Sequence, residues 1–427
     1  MYPVLSRAPA GRGWSAGLLR EVPRNVLLIG LTSCLTDVSS EMITSILPLY
    51  LVAHLGFSPA GFGAIDALHQ GGASVVRLVS GWLSDRSQHF KRVAGAGYAL
   101  SAACRAALLL GGTGASSIAA ITFADRLGKG VRAAPRDALI SLSAEQGGLG
   151  RAFGAHRAMD TAGAVIGPLI AFQLLRLVPG AFAAVFAVSF AFALLGIGVL
   201  AAFVSNPAAR RVPAHEPERN ARAGLSATLG LLRDRKLSPL LLSAGLLGAL
   251  TISDGMLFLM LQRRLHFEPG YLPLLYVAVP CVCLSLAFSF GRLADRWGRA
   301  KVLLLGHALL ILVYWSEWLP ARGGLLLALN VLLLGAFYAA SDGVLLALAS
   351  ARLPEPQLAS GLGLIVTVNN LGRLLASVAF GLLWSHYDER IALIVFGAVL
   401  TAVLAALAAT LLELDVPARG APPLLRG

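Results

Sequence analysis

Long apolar runs alternate with short polar stretches along most of the chain. Most runs reach the roughly 20 residues that an α-helix needs to cross the hydrocarbon core of a bilayer. Six precede and six follow a polar stretch: residues 25–54, 60–83, 93–112, 116–143, 153–175 and 181–204, then 237–261, 271–293, 302–319, 325–350, 358–384 and 391–412. The pattern predicts an all-α polytopic membrane protein with twelve transmembrane helices.

The polar stretches divide the predicted helices into two six-helix bundles, residues 25–204 and 237–412. Residues 1–24 form an N-terminal tail, 205–236 a linker and 413–427 a C-terminal tail. Lysines and arginines are concentrated in these stretches and in the loops on the same side of the predicted helices, which places that side in the cytoplasm. We expect an inner-membrane (cytoplasmic-membrane) protein with both termini cytoplasmic, and a linker that tethers the bundles or regulates them.

The amino-acid composition narrows the class of protein to which the chain can belong. Hydrophobic residues make up 57% of the chain and charged residues 13%, against about 45–50% and about 25% in soluble domains. This excludes a soluble enzyme, a disordered chain and an outer-membrane barrel. The net charge of +13 is explained by cations flanking membrane helices, so we expect no nucleic-acid partner. The four cysteines lie in apolar stretches without a CxxC pair, and neither a metal nor a cofactor is expected.

The two halves repeat each other. Gly-Trp-Leu-Ser-Asp-Arg at residues 81–86 matches Gly-Arg-Leu-Ala-Asp-Arg at 291–296, and residues 55–59 match 265–269 at the same offset. Repeats of this kind in a polytopic membrane chain place a substrate site near the midplane between the halves.

The repeated motif resembles the loop between helices 2 and 3 of the major facilitator superfamily. The first copy departs from it, with Gln88 where glycine is usual. The resemblance implies two pseudo-symmetric six-helix bundles and a gate that the motif latches. The gating residues would be Gly81, Asp85, Arg86, Gly291, Asp295, Arg296, Gly298 and Arg299.

The fourth segment is unusually charged. Arg126-x-x-x-Gly130 resembles a motif of proton-driven antiporters in the superfamily, and residues 128–139 resemble a branch of bacterial and archaeal permeases. Helical spacing puts Asp125, Lys129, Arg132 and Arg136 on one face. Alternatively, the end of this string lies in a cytoplasmic loop.

The fifth segment has the spacing of the superfamily's antiporter motif at Gly154, Gly163, Gly167 and Pro168, although Ala171 stands at the last small position. This resemblance implies export. The alternative is ordinary close packing, since small residues at these steps are common in membrane helices.

Two carboxylates in the first segment, Asp37 and Glu41, share one helix face. An apolar surround and a like neighbour both favour the protonated form of a carboxylate. We expect this pair to exchange protons, with Arg126 as the charge partner. A fixed salt bridge to an arginine of the fourth or fifth segment is the alternative.

Further polar residues within the segments are expected to line a substrate cavity, because embedded ionisable groups usually face the bundle interior or water. Asp342 follows Arg132 at the repeat offset, so the two are hypothesised to face one cavity with opposite charges. The charges nearly balance and do not name the sign of the solute; Arg105 and the histidines are expected to be structural. The cavity set is Lys129, Arg132, Arg136, Asp137, Arg157, Asp160, Asp254, Asp342, Asn369, Asn370 and Arg373.

These features together predict a secondary active transporter rather than an enzyme. The sequence contains no nucleotide-binding motif, so we do not expect ATP to be the energy source. We expect a monomeric, proton-coupled exporter of a small organic solute that works by alternating access, with the solute, protons and membrane lipid as its partners. A proton symporter that imports a metabolite and a lipid or lysolipid flippase remain as alternatives.

Overall fold

The computed structural model describes residues 22–71, 73, 76, 80, 89–111, 114–144, 149–206, 237–316, 323–352 and 358–413. Within these ranges the regular structure is helical. The helices of the first half are α1 (Arg24–Pro48, extended by a π-helical Leu49–His54), α2 (Pro59–Gly71), α3 (Phe90–Leu109), α4 (Ala115–Ser143), α5 (Leu149–Leu177) and α6 (Phe182–Phe203). Those of the second half are α7 (Ser238–Ala249), α8 (Asp254–Leu265), α9 (Leu272–Trp297), α10 (Arg299–Ser316), α11 (Gly324–Ser350), α12 (Leu358–His386) and α13 (Glu389–Glu413).

Nine helical stretches of the described residues are long and apolar enough to span a membrane, which confirms the all-α membrane fold. The charged α4 is 29 residues long but is not among the nine. Its length suits a membrane span, and its embedded charges, rather than its length, set it apart.

The seventh predicted segment is interrupted. The structure divides it into α7 and α8, with a break at residues 250–253. The Tyr314 hydroxyl donates to the carbonyl oxygen of Leu250 at 2.8 Å and accepts from the amide of Ile252 at 2.9 Å. The Ser253 side chain accepts from the amide of Met256 and caps α8. These bonds satisfy backbone groups that the break takes out of the helical ladder.

The chain forms two compact units. Unit 1 contains Met1–Ala221, Ser253–Val277 and Ser377–Ser385, and unit 2 contains Arg222–Ile252, Ala278–Ala376 and His386–Gly427. In unit 1, α1 packs against α5 and α6, and α3 packs against α4 and α6; in unit 2, α10 packs against α11 and α13. Residues 207–236 of the expected linker lie outside the described part of the chain.

Candidate functional site

The charged string of the fourth segment is helical from end to end, because α4 runs from Ala115 to Ser143. Arg136 and Asp137 therefore lie in the helix and not in a loop. Asp125, Arg126 and Arg132 are buried. Buried charges of this kind require partners on neighbouring helices, and the structure supplies them from α1, α3 and α5.

Two ion pairs join α1 to α4. A carboxylate oxygen of Asp37 lies 3.5 Å from a guanidinium nitrogen of Arg132, and a carboxylate oxygen of Glu41 lies 4.0 Å from Nζ of Lys129. The side chain of Arg132 is 3% exposed, whereas those of Asp37, Glu41 and Lys129 are 18%, 24% and 40% exposed. The carboxylates thus contact buried or half-buried cations while keeping access to solvent.

Arg126, expected from the sequence to be the charge partner of Asp37 and Glu41, forms an ion pair with Asp125 in the structure. Its guanidinium lies 2.8 Å from Asp125, its own neighbour in the chain. The other oxygen of Asp125 lies 2.9 Å from Arg105 of α3, which also donates to the Ser40 hydroxyl at 3.1 Å. Arg105, which we expected to be structural, forms a buried charge cluster with Asp125 and Arg126. An arginine in the middle of an otherwise apolar segment is the sequence signal that could have indicated this.

The other end of α4 meets α5. Arg136 lies 2.9 Å from Asp137 and 3.9 Å from Asp160. His156 lies 3.6 Å from Asp160 through Nε2. Arg157 is exposed. This end of the network therefore holds two carboxylates beside one half-buried arginine.

A buried hydrogen-bond chain connects this end with the α1–α4 pairs. His156 Nε2 lies 3.1 Å from the Ser33 hydroxyl, which lies 3.1 Å from the Tyr98 hydroxyl. The Tyr98 ring lies under the guanidinium of Arg132 at 4.9 Å. Arg132 also donates to the Ser101 hydroxyl at 3.3 Å. Arg132 is thereby held by three neighbours.

Glycines bring these helices close enough for the charges to meet. A Cβ on Gly163 would lie 2.5 Å from the carbonyl oxygen of Cys34, and one on Gly167 would lie 2.6 Å from that of Val38. Both sites on α1 adjoin the two carboxylates. An added Cβ on Gly154 would meet none of the described residues within 4 Å, and Pro168 lies inside α5.

The packing of α3 on α4 follows the same principle. A Cβ on Gly97 would lie 2.6 Å from the carbonyl oxygen of Gly128, and one on Gly128 would lie 2.8 Å from that of Gly97. Small residues at both positions allow the backbones to approach. This approach brings Arg105 and Ser101 within reach of the α4 charges.

The expected cavity residues of the second half belong to both units. Asp342 of α11 lies 3.7 Å from Arg373 of α12, and its side chain is 61% exposed. Both line a small cavity of unit 2 together with Asn369, Ser341 and His307. Asn370 adjoins Asn369 in α12, whereas Asp254 begins α8 in unit 1.

The second gating motif covers the end of α9, the turn at Gly298 and the first residue of α10. Gly298 has a φ of +106° there, a conformation that favours glycine. Asp295 and Arg296 are exposed, as is Gly291. Arg299 donates to the carbonyl oxygen of Ala347 near the end of α11 at 2.7 Å, where a cation complements the helix dipole. Gly81, Asp85 and Arg86 of the first copy lie outside the described residues.

The arrangement is one of ion pairs rather than of metal ligands. Among the described residues, no group of three or more His, Cys, Asp or Glu side chains is placed to hold a metal ion. A chain of charges inside a helix bundle is suited to binding charged groups and exchanging protons.

Comparison with known proteins identifies the family. A family model described as Major Facilitator Superfamily matches residues 29–323 and 286–427. The chain belongs to this superfamily. An uncharacterised MFS-type transporter of Methanocaldococcus jannaschii is 29% identical over 396 residues, which are 90% of this chain and 94% of that protein. An uncharacterised protein of Mycobacterium tuberculosis (strain H37Rv) is 38% identical over 161 residues, which are 38% of this chain and 39% of that protein.

Solved structures share the fold. The nucleoside transporter NupG superposes with a TM-score of 0.76 at 14% identity, over 90% of this chain and 99% of that one. The peptide transporter POT superposes with a TM-score of 0.76 at 15% identity, over 92% and 95%. This MFS protein is therefore a multi-pass membrane transporter of the secondary type and not an enzyme.

Proposed function

We propose that this MFS protein is a proton-coupled exporter, an antiporter that exchanges a small organic solute for protons by alternating access. The observation that carries the proposal is the pairing of the two α1 carboxylates, Asp37 and Glu41, with the α4 cations Arg132 and Lys129. We propose that protonation of the carboxylates is the event to which solute binding is coupled.

The physical argument rests on what a proton does to an ion pair. A protonated carboxylic acid no longer neutralises its partner, and a buried cation left without an anion is strongly destabilised. For Arg132, 3% exposed, protonation of Asp37 favours either a conformation in which α1 and α4 separate or one in which a solute anion replaces the carboxylate. The partial exposure of Asp37 and Glu41 gives protons access to both.

The position of the α5 glycines supports the same proposal. Gly163 and Gly167 pack against α1 beside the two carboxylates. A change in the α1–α4 pairs therefore reaches α5 through direct backbone contact. In the superfamily this glycine motif accompanies exporters, and we assign the direction of transport on that resemblance.

The nature of the solute is proposed from the fold relatives. Their names describe a nucleoside transporter, a peptide transporter and a human organic anion transporter, all of them carriers of small organic molecules. We propose such a solute here, with the protein acting as a monomer in the inner membrane and with both termini in the cytoplasm.

Proteoliposomes containing pyranine distinguish the proposal from its two alternatives. A solute gradient is imposed from outside with members of a library of small organic solutes sorted by charge. Antiport predicts that solute entry makes the lumen alkaline, and symport predicts that it makes the lumen acidic. A flippase predicts no solute-driven pH change but movement of a fluorescent lysolipid between leaflets. The proposal fails if symport or lipid movement is observed instead.

A further inference from the structure

A small cavity in unit 1 is walled by cationic and polar side chains. Arg105 of α3, Arg126 of α4 and His69 of α2 line it, together with Thr122 and one carboxylate, Asp125. The side chains of the two arginines are 3% and 7% exposed. The cavity is of a size to hold a water molecule or a small ion, and its arginines are shielded from bulk solvent.

The charges of the described residues that line this cavity do not cancel. Asp125 is shared by two arginines, Arg105 at 2.9 Å and Arg126 at 2.8 Å. Two guanidinium groups and one carboxylate leave a surplus of one positive charge. A buried charge without a counter-charge is unfavourable, so this cluster favours a further anion.

The neighbouring charges on α4 have partners of their own. Lys129 pairs with Glu41, and Arg132 pairs with Asp37. Asp137 follows Asp125 by twelve residues, a rise of roughly 18 Å along the helix. These carboxylates are therefore engaged elsewhere or distant from the two arginines.

Three nitrogen atoms of the cavity side chains point to the same conclusion. Nε of Arg105, Nε of Arg126 and Nε2 of His69 are buried, and none has a hydrogen-bond partner within the described part of the chain. Oδ1 of Asp125 also makes no hydrogen bond there, although it lies 2.9 Å from the guanidinium of Arg105. Buried polar atoms in proteins nearly always have one. An arginine Nε always carries a hydrogen, so at least two of the three are donors that need an acceptor.

We propose that this cavity binds one small anionic group, either a halide ion or the carboxylate of a bound solute. Arg105 and Arg126 supply the charge, and His69 contributes a polar wall. The site is distinct from the proton-exchanging pair Asp37 and Glu41. Its occupancy is an equilibrium property that is measured without any transport, so it stands or falls independently of the exporter proposal.

Chloride binding to the purified full-length protein tests the site directly. The protein is transferred in detergent to a buffer whose only anion is methanesulfonate, and the line width of the chloride NMR signal is followed as chloride is added. Saturable broadening is expected. Displacement of the broadening by formate or acetate at lower concentration indicates the carboxylate of a solute, whereas displacement by bromide alone indicates a halide site. The inference is overturned if neither chloride nor a carboxylate binds saturably.

Substitutions locate the anion. Arg105→Gln and Arg126→Gln each remove one charge from the cavity and are expected to weaken anion binding at least about tenfold. Arg176→Gln is the matched control, because this exposed arginine in the last turn of α5 lies outside the cavity. The control variant is expected to bind the anion as tightly as the wild type does. If an arginine variant does not fold, His69→Ala carries the test. Unchanged anion binding in the folded cavity variants would overturn the assignment.

Discussion

The guanidinium of Arg132 lies 3.5 Å from the carboxylate of Asp37 and connects α4 to α1 inside unit 1. The same guanidinium lies over the Tyr98 ring at 4.9 Å and donates to Ser101 at 3.3 Å. Arg132 is thus held in place by α3. In the coupling that we propose, a proton on Asp37 would therefore break the link to α1 without releasing the arginine.

The hold of α3 on Arg132 is tested with Tyr98. Tyr98→Phe removes the hydroxyl that bonds Ser33 but keeps the ring under the guanidinium. We expect a loss of about 1 kcal/mol in the free energy of unfolding. Tyr98→Ala removes the ring as well and should lose about 3–5 kcal/mol, because it leaves a cavity beside a buried cation. Unfolding in a denaturant series in detergent measures both, and equal losses would contradict a role for the ring.

Close packing of α5 on α1 makes a second prediction. Gly163→Ala places a Cβ against the carbonyl oxygen of Cys34 and is expected to destabilise the protein by about 1–3 kcal/mol. Gly154→Ala, in the same helix and with none of the described residues within 4 Å of the added Cβ, is the control and should be neutral or slightly stabilising because alanine favours helix. Apparent melting temperatures in detergent compare the two. Similar melting temperatures for both variants would rule out the proposed contact.

The break between α7 and α8 depends on Tyr314. Tyr314→Phe leaves the carbonyl oxygen of Leu250 and the amide of Ile252 without their partner. The expected loss is about 1–3 kcal/mol, read as a lower apparent melting temperature. Tyr387→Phe is a suitable control, since that tyrosine is exposed. A variant as stable as this control would show that the hydroxyl does not maintain the break.

The proposed orientation is checked by reporter fusions. A fluorescent protein that matures only in the cytoplasm, fused after residue 427, should be bright. An alkaline phosphatase fusion at the same position, which requires export, should be inactive. The reverse pattern would contradict the charge-based topology.

The sequence predicts some of these relationships and leaves others undetermined, for physical reasons. The i, i+4 spacing of Asp37 and Glu41 places them on one face whatever surrounds α1. Their partners depend on the axial register between α1 and α4, which tertiary contacts set. For this reason the motif indicated Arg126 as the charge partner of Asp37 and Glu41, whereas the cations at ion-pair distance from them in the structure are Arg132 and Lys129.

The same distinction applies to the fold. Apolar runs predict helices reliably because they must satisfy their backbone polar groups within the bilayer. The break at residues 250–253 leaves no gap in the apolar run, since Leu250 and Ile252 are themselves apolar. The capping serine, Ser253, followed by Asp254 was the available sequence signal.

The most direct test of the account is solute-driven proton movement in the Asp37→Asn variant. Asparagine keeps the shape and a hydrogen-bond acceptor toward Arg132 but cannot carry a proton at this position. Proteoliposomes with internal pyranine report proton movement, and counterflow of the labelled solute reports binding and exchange. Glu268→Gln, which removes an exposed carboxylate, is the matched control.

The account predicts that Asp37→Asn loses at least about tenfold in solute-driven proton movement, a change of about 1.4 kcal/mol or more in coupling, while it retains solute counterflow and folds normally. Glu268→Gln should match the wild type in both measurements. Proton movement at the wild-type rate in Asp37→Asn would contradict the coupling role of the Asp37–Arg132 pair.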